Sequence, residues 1–245
     1  MADSTTNREI WILGLGNRQE RCHVLCDYLA AGGYQARIAD LAELPATRPL
    51  GIILDLSPYA ADGWGILLRL KADKATREIP VLPVFLSEDG DIGSVFPVAG
   101  FFTLPIDSDY LEQRLAVLGL TEDVQEWDLQ AMVISRSGEE KLEKALNSVG
   151  FEVVNAYSGT EAVALATIGR PYLAFSTLML SDMPAFELQE RFRLYPNVKN
   201  VPFFVLIKDT MKEAEKSAIA KDVAHLVRKK WLNQEEFLAF LRRRG

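Results

Sequence analysis

Residues 49–64 read PLGIILDLSPYAADGW. The run from Leu50 to Leu54 is apolar at nearly every position, the pattern of a strand buried on both faces of a parallel sheet. It stops at Asp55, and Ser57, Pro58, Asp62 and Gly63 supply turn chemistry. Helical spacing resumes in GWGILLRLKAD (63–73). A buried strand, a polar turn and an amphipathic helix form one half of a βαβ unit, and the rest of the chain repeats the theme.

Upstream, IWILGLG (10–16) is a β-rich run ending in glycines. RQERCHVLCDYLAAGG (18–33) is a helix stopped by Gly32-Gly33, and YQARIAD (34–40) is a short strand. Downstream come the strands VLPVFLS (81–87) and FFTLP (101–105) and the helix SDYLEQRLAVLGL (108–120). Pro83 removes a ladder donor, so the strand that contains it is expected to start at Val84. The order then recurs. AMVISR (131–136), FEVVNAYS (151–158), YLAFSTLML (172–180), VPFFVLI (201–207) and AHLVRK (224–229) read as strands. EEKLEKALNSVG (139–150), TEAVALATIG (160–169), FELQERFRLY (186–195), a charged stretch over 212–220 and NQEEFLAFLRRR (233–244) read as helices. RPLGIILD (48–55) aligns with RPYLAFST (170–177), and in both a proline lies 25 residues beyond the last letter, at Pro80 and Pro202.

The chain has 245 residues, 49% apolar and 25% charged, which is globular composition. Residues 1–125 hold 10 Lys+Arg against 18 Asp+Glu and residues 126–245 hold 17 against 16, net charges of −8 and +1 that sum to −7. Such asymmetry fits two units. The acidic half argues against nucleic-acid binding, and no apolar run reaches the length of a membrane span. With two cysteines, four positions apart, and a polar start, a cytoplasmic location is expected. The expected fold is α/β: two tandem flavodoxin-like, doubly wound domains at 7–120 and 129–245. Each is expected to be a five-stranded parallel sheet of order 2-1-3-4-5 with helices on both faces, the pair joined by an acidic linker over 121–128.

The segment IILDLSPYAADGW resembles the phosphoacceptor segment of response-regulator receiver domains. In that family an aspartate ends the third strand and the glycine of an Asp-Gly pair follows eight residues later, as Gly63 follows Asp55 here. EIPVLPVFLSE resembles the fourth strand with its terminal hydroxyl, Ser87. FFTLPIDSDYLEQRL resembles the fifth strand, its Lys-Pro dipeptide and the last helix, with Leu104 in the lysine position and Phe101 at the aromatic switch position. The resemblance implies a phosphoacceptor at Asp55, switch residues Ser87 and Phe101, and an acidic metal-binding pair at Gly16-Asn17. Both formal charges of that pair are missing, which leaves Asp55 and Asn17 as weak candidates for Mg²⁺. The segment from Ser87 to Leu104 is short for the family, so its fourth helix should be stunted. In the second copy the corresponding positions are Ser135, Arg136, Thr177, Ile207 and Lys229 or Lys230, the pattern of a pseudo-receiver without an acceptor.

Other motifs have plainer readings. GLGNRQ (14–19) places Gln19 where a dinucleotide fingerprint needs its third glycine. Cys22 and Cys26 lack the paired knuckles of a zinc site and read as core. Trp127 and Trp231 read equally as partner-facing aromatics or as lids on their own cores. No enzyme constellation is present, so the expected role is non-catalytic signalling through protein partners, a histidine kinase or another signalling protein, with aspartyl phosphorylation of the first domain as one version of it. The competing reading is a small-molecule sensor that binds at the carboxyl ends of the strands.

Overall fold

The computed structural model describes residues 8–44, 48–60, 62–124, 127–208, 219 and 231–242. Among these, no helix is long and apolar enough to cross a membrane. The chain divides into two compact units, but not in chain order. One unit runs to Pro97 and resumes at Lys212, and the other is Val98–Met211.

In the first unit β1 (Glu9–Leu13), β2 (Gln35–Ile38), β3 (Gly51–Asp55) and β4 (Val81–Leu86) are parallel, and β5 (Ile92–Val95) is antiparallel, in the order β2-β1-β3-β4-β5. The crossover β1–α1 (His23–Ala31)–β2 runs one way along the sheet, and β3–α2 (Gly63–Ala72)–β4 runs the other. Right-handed crossovers therefore place α1 and α2 on opposite faces. Side chains two apart share a face, so Ile10, Ile12, Ile53, Leu82, Val84 and Leu86 meet Leu25 and Leu29 of α1. The same cluster is closed by Phe237 and Leu238 of the C-terminal helix α7 (Gln234–Arg242).

The second unit is an all-parallel five-stranded sheet of β6 (Gly100–Leu104), β7 (Gln130–Ile134), β8 (Glu152–Ala156), β9 (Leu173–Thr177) and β10 (Phe203–Lys208). Its order is β6-β10-β9-β7-β8. Between the strands run α3 (Ser108–Val117), α4 (Glu140–Val149), α5 (Gly159–Gly169) and α6 (Ala185–Arg193). Phe102 of β6 joins Phe175, Phe204, Leu111 of α3 and Leu146 of α4 in one core. Three of these rings are mutual neighbours, Phe175 and Phe204 stacked at 4.9 Å and Phe102 within 5.8 Å of each.

The consecutive division at 7–120 and 129–245 is thus corrected. The strand and helix read as the end of the first domain, β6 and α3, belong to the second unit, and α7 belongs to the first. The expected fold class holds as α/β with two five-stranded sheets; the first has the expected order but is mixed, and the second is all parallel but takes β6, which precedes its other four strands, at its edge. Where a stunted fourth helix was expected, the chain forms a hairpin, β4–β5, and the backbone N–H of Leu232 covers the edge of β5 by donating to Ile92 O at 2.8 Å. Covering an edge removes unpaired backbone groups from the surface.

Pro83 lies inside β4 rather than before it. Its carbonyl points to the β5 side, where Phe96 N donates to it at 2.9 Å, and its nitrogen faces the same side. The ladder to β3 therefore loses no donor. AHLVRK, His225 and Lys229-Lys230 lie outside the described residues.

Candidate functional site

Asp55 is the last residue of β3, opposite Val84 of β4. Two glycines let other backbone come close to it. A Cβ on Gly14, whose φ is +89°, would lie 2.7 Å from Asp55 O, and one on Gly63 would lie 2.2 Å from the same oxygen. The loop after β1 and the start of α2 thereby converge on the end of β3, as strand ends do where an open α/β sheet reverses direction.

The carboxylate itself is sealed. Asp55 is 1% exposed and faces Arg21, also 1% exposed, with Nη1 2.9 Å from Oδ2. This contact is an ion pair without aligned N–H···O geometry. Ser57 donates its amide to Oδ1 and its hydroxyl to Oδ2, both at 3.0 Å, and Leu86 N reaches Oδ1 at 3.4 Å. Burial is the largest influence on the carboxyl and pushes its pKa up. The Ser57 amide, the Arg21 charge and the Ser57 hydroxyl oppose this, and the net shift is upward.

Arg21 sits in a 3₁₀ turn, Gln19–Cys22, that leads into α1. Its guanidinium spans the ends of β3 and β4. Nη2 donates to Ser57 Oγ at 2.9 Å and Leu86 O at 3.0 Å, and Nε donates to Ser87 O at 3.0 Å. The half-exposed ring of Tyr59 lies 5.3 Å from Arg21 Cζ and 5.8 Å from Arg18 Cζ. Arg18 in turn lies 3.6 Å from Glu88. The turn of the β4–β5 hairpin rests on Arg21, since a Cβ on Gly90 (φ +94°) would lie 2.5 Å from Arg21 O.

The sequence-derived site is therefore partly assembled. Asp55 is central. Ser87 contributes its carbonyl, while its hydroxyl accepts from Asp91 N at 2.9 Å inside the hairpin turn. Phe101, expected beside Asp55, is buried in β6 of the other unit opposite Val205, and Leu104 lies there opposite Lys208. Gly16 and Asn17 are exposed, and it is Gly14 that abuts Asp55. The sequence reading missed Arg21 and Ser57. Ser57 had a local signal, since an Asp-x-Ser spacing favours an Asx turn, whereas nothing adjacent to Arg21 announces its partners in β3 and β4.

Mg²⁺ does not fit this arrangement. A hard divalent cation takes carboxylate oxygens, and the Asp55 oxygen it needs already faces a fixed positive charge. Among the described residues no group of three or more His, Cys, Asp or Glu gathers to offer another set.

In the second unit Thr177 ends β9, buried, and donates to Met179 O at 3.4 Å. Ser135 donates to Glu139 at 3.3 Å, and Arg136 donates to Leu180 O at 3.1 Å. Ile207 is buried within β10, and Lys230 lies outside the described residues. Asp182 sits at the start of α5, accepting from Gly159 N at 2.8 Å, Thr160 N at 2.9 Å and Thr160 Oγ1 at 2.8 Å. Burial pushes its pKa up, but these hydrogen bonds outweigh it and hold the carboxyl below its ordinary value.

Cys22 and Cys26 approach to 3.4 Å, and burial together with Cys26 pushes the Cys22 thiol up to about 12. Trp127 and Trp231 are 67% and 51% exposed, so neither lids its own core. The carboxyl ends of β3 and β4, where the competing reading places a small molecule, hold the Arg21 side chain. An apolar cavity of about 310 Å³ lies at the amino ends of the first sheet, lined among others by Ile10, Tyr34, Leu50, Pro80 and Leu241.

No family model and no curated protein sequence matches the chain. Among solved structures, it is similar to the receiver domain of a signal transduction histidine kinase from Syntrophus aciditrophicus, at 17% identity over 40% of this chain and 89% of that one, with a TM-score of 0.30. It is similar to the receiver domain of a sensor histidine kinase from Pseudomonas aeruginosa PAO1, with a magnesium ion coordinated in its active-site cleft, at 15% identity over 40% of this chain and 99% of that one, TM-score 0.31. NtrX from Brucella abortus matches at 15% identity over 89% of this chain and 65% of that one, TM-score 0.29. Likenesses this distant carry no functional weight.

Proposed function

We propose that this chain is a response-regulator-like, two-component signalling protein that works through contacts with protein partners, a histidine kinase or another signalling protein, and that Asp55 is a silent acceptor. The receiver-like segment around Asp55 supports the signalling reading, and the buried ion pair between Arg21 and Asp55 carries the silent-acceptor reading. Phosphoryl transfer to an aspartate needs an in-line approach to a free carboxylate oxygen and a cation that offsets the developing charge. Here both oxygens are engaged by Arg21, Ser57 and Leu86. A phosphoryl group would also bring roughly two negative charges into a space sized for one carboxylate. Output passes through surface contacts.

The test is intact-mass spectrometry after incubation with acetyl phosphate and Mg²⁺, beside a receiver domain that labels and an Asp55→Asn variant. The expected result is no added phosphoryl mass. A phosphoryl adduct on the parent that is absent from Asp55→Asn overturns the reading.

A further inference from the structure

The oxygens around Arg21 come from separate parts of the first unit. Asp55 Oδ2 belongs to the end of β3, Ser57 Oγ to the loop after it, and Leu86 O and Ser87 O to the end of β4. Each lies between 2.9 and 3.0 Å from a guanidinium nitrogen. The Tyr59 ring lies 5.3 Å from Arg21 Cζ, within reach of a cation–π contact. One carboxylate, two carbonyls, a hydroxyl and an aromatic ring form the chemistry that recognises a planar, multi-donor cation.

We propose that this cage is a guanidinium-binding site, and that the Arg21 side chain is its built-in ligand. The four oxygens are spread over three guanidinium nitrogens and are not gathered round one point, as the octahedral shell of Mg²⁺ at about 2.1 Å requires. Two of the oxygens are backbone carbonyls at the end of one strand, held apart by its geometry, and cannot close around so small an ion without moving β4. A forked cation spans them as they stand. The bound side chain ties the ends of β3 and β4 to the turn before α1, so the loops that would have to move in a phosphorylation switch are pinned together. The inference rests on the reading of Asp55 as a silent acceptor, but its readout does not involve phosphorylation.

The experiment is chemical rescue. Full-length Arg21→Ala is melted in the presence of methylguanidinium, tetramethylammonium, NaCl or MgCl₂ at matched ionic strength. The variant should melt below the parent, and about 10 mM methylguanidinium should restore about half of the lost Tm, as a ligand that binds only the folded state does. The other salts should restore none of it, and Arg21→Ala combined with Asp55→Asn should show no rescue. Equal gains from tetramethylammonium or NaCl, a larger gain from MgCl₂, or a gain that survives Asp55→Asn overturns the proposal. If Arg21→Ala does not fold in buffer, recovery on dilution from denaturant is read instead. Recovery with methylguanidinium alone supports the site, and recovery in every salt or in none overturns it. Because labelling by acetyl phosphate is a separate measurement, a phosphorylated parent with intact rescue would defeat the silent-acceptor reading and leave the cage standing.

Discussion

Phe101 of β6 lies opposite Val205 of β10 in a parallel pair, so a strand from the first half of the chain closes the sheet built by the second. The exchange is reciprocal. Phe237 of α7 is fully buried against the first unit's core, with its ring 6.0 Å from that of Tyr28, and Tyr28 also donates its hydroxyl to Leu232 O at 3.3 Å.

The exchange predicts that damage crosses between the halves of the chain. Truncating a buried phenylalanine removes about 3–5 kcal/mol. Phe237→Ala should therefore cost the first unit, and hydrogen-exchange protection should fall in β1, β3 and α1 while β7 and β9 keep theirs. Phe102→Ala should do the reverse, lowering protection in β9, β10 and α4. Loss of protection confined to the variant's own half of the chain in both cases would contradict the exchange.

Asp55→Asn and Arg21→Met should each destabilise the first unit by about 3–5 kcal/mol, because either leaves its partner buried without a compensating charge. The double variant should cost less than the sum, with a coupling of about 0.5–3 kcal/mol. Urea denaturation followed by hydrogen exchange at β3 and β4 reads both quantities. Strict additivity would mean that the two side chains do not depend on one another.

Asp182 gives a pH dependence whose sign is fixed. Its folded pKa lies below the ordinary 3.8, so its contribution is present above that value and is lost as pH falls through the folded pKa. Asp182→Asn should cost about 0.3–1 kcal/mol at neutral pH, as loss of a negative charge beside a helix N-terminus does. The gap between parent and variant should close below pH 3.8. A gap that stays constant down the acid limb would show that the charge contributes nothing there.

Gly63→Ala should destabilise the first unit by about 1–3 kcal/mol, since its Cβ would lie 2.2 Å from the carbonyl oxygen of Asp55 and neither backbone can yield without moving the other. Thermal melts of the parent and variant check this, and an unchanged Tm would mean that α2 can shift away from β3 without cost.

By itself the sequence determined most of the local structure. Period-two and continuous apolar runs marked the first four strands, and the spacing of Leu25 and Leu29 marked α1. The position of Asp55 at a strand end followed from the turn residues after it. These are short-range properties, carried by side-chain alternation and backbone preference. Three features were decided only by the tertiary structure: which sheet receives β6, which receives α7, and what faces Asp55. A parallel ladder reads backbone N–H and C=O groups, which are alike in every strand, so FFTL could close either sheet. The choice lies in the packing of Phe102 against Phe175 and Phe204. Arg21 and Asp55 are likewise ordinary residues in their own segments. They become a pair because the turn before α1 and the hairpin after β4 close over the same strand ends, which excludes water and leaves each charge the other's partner.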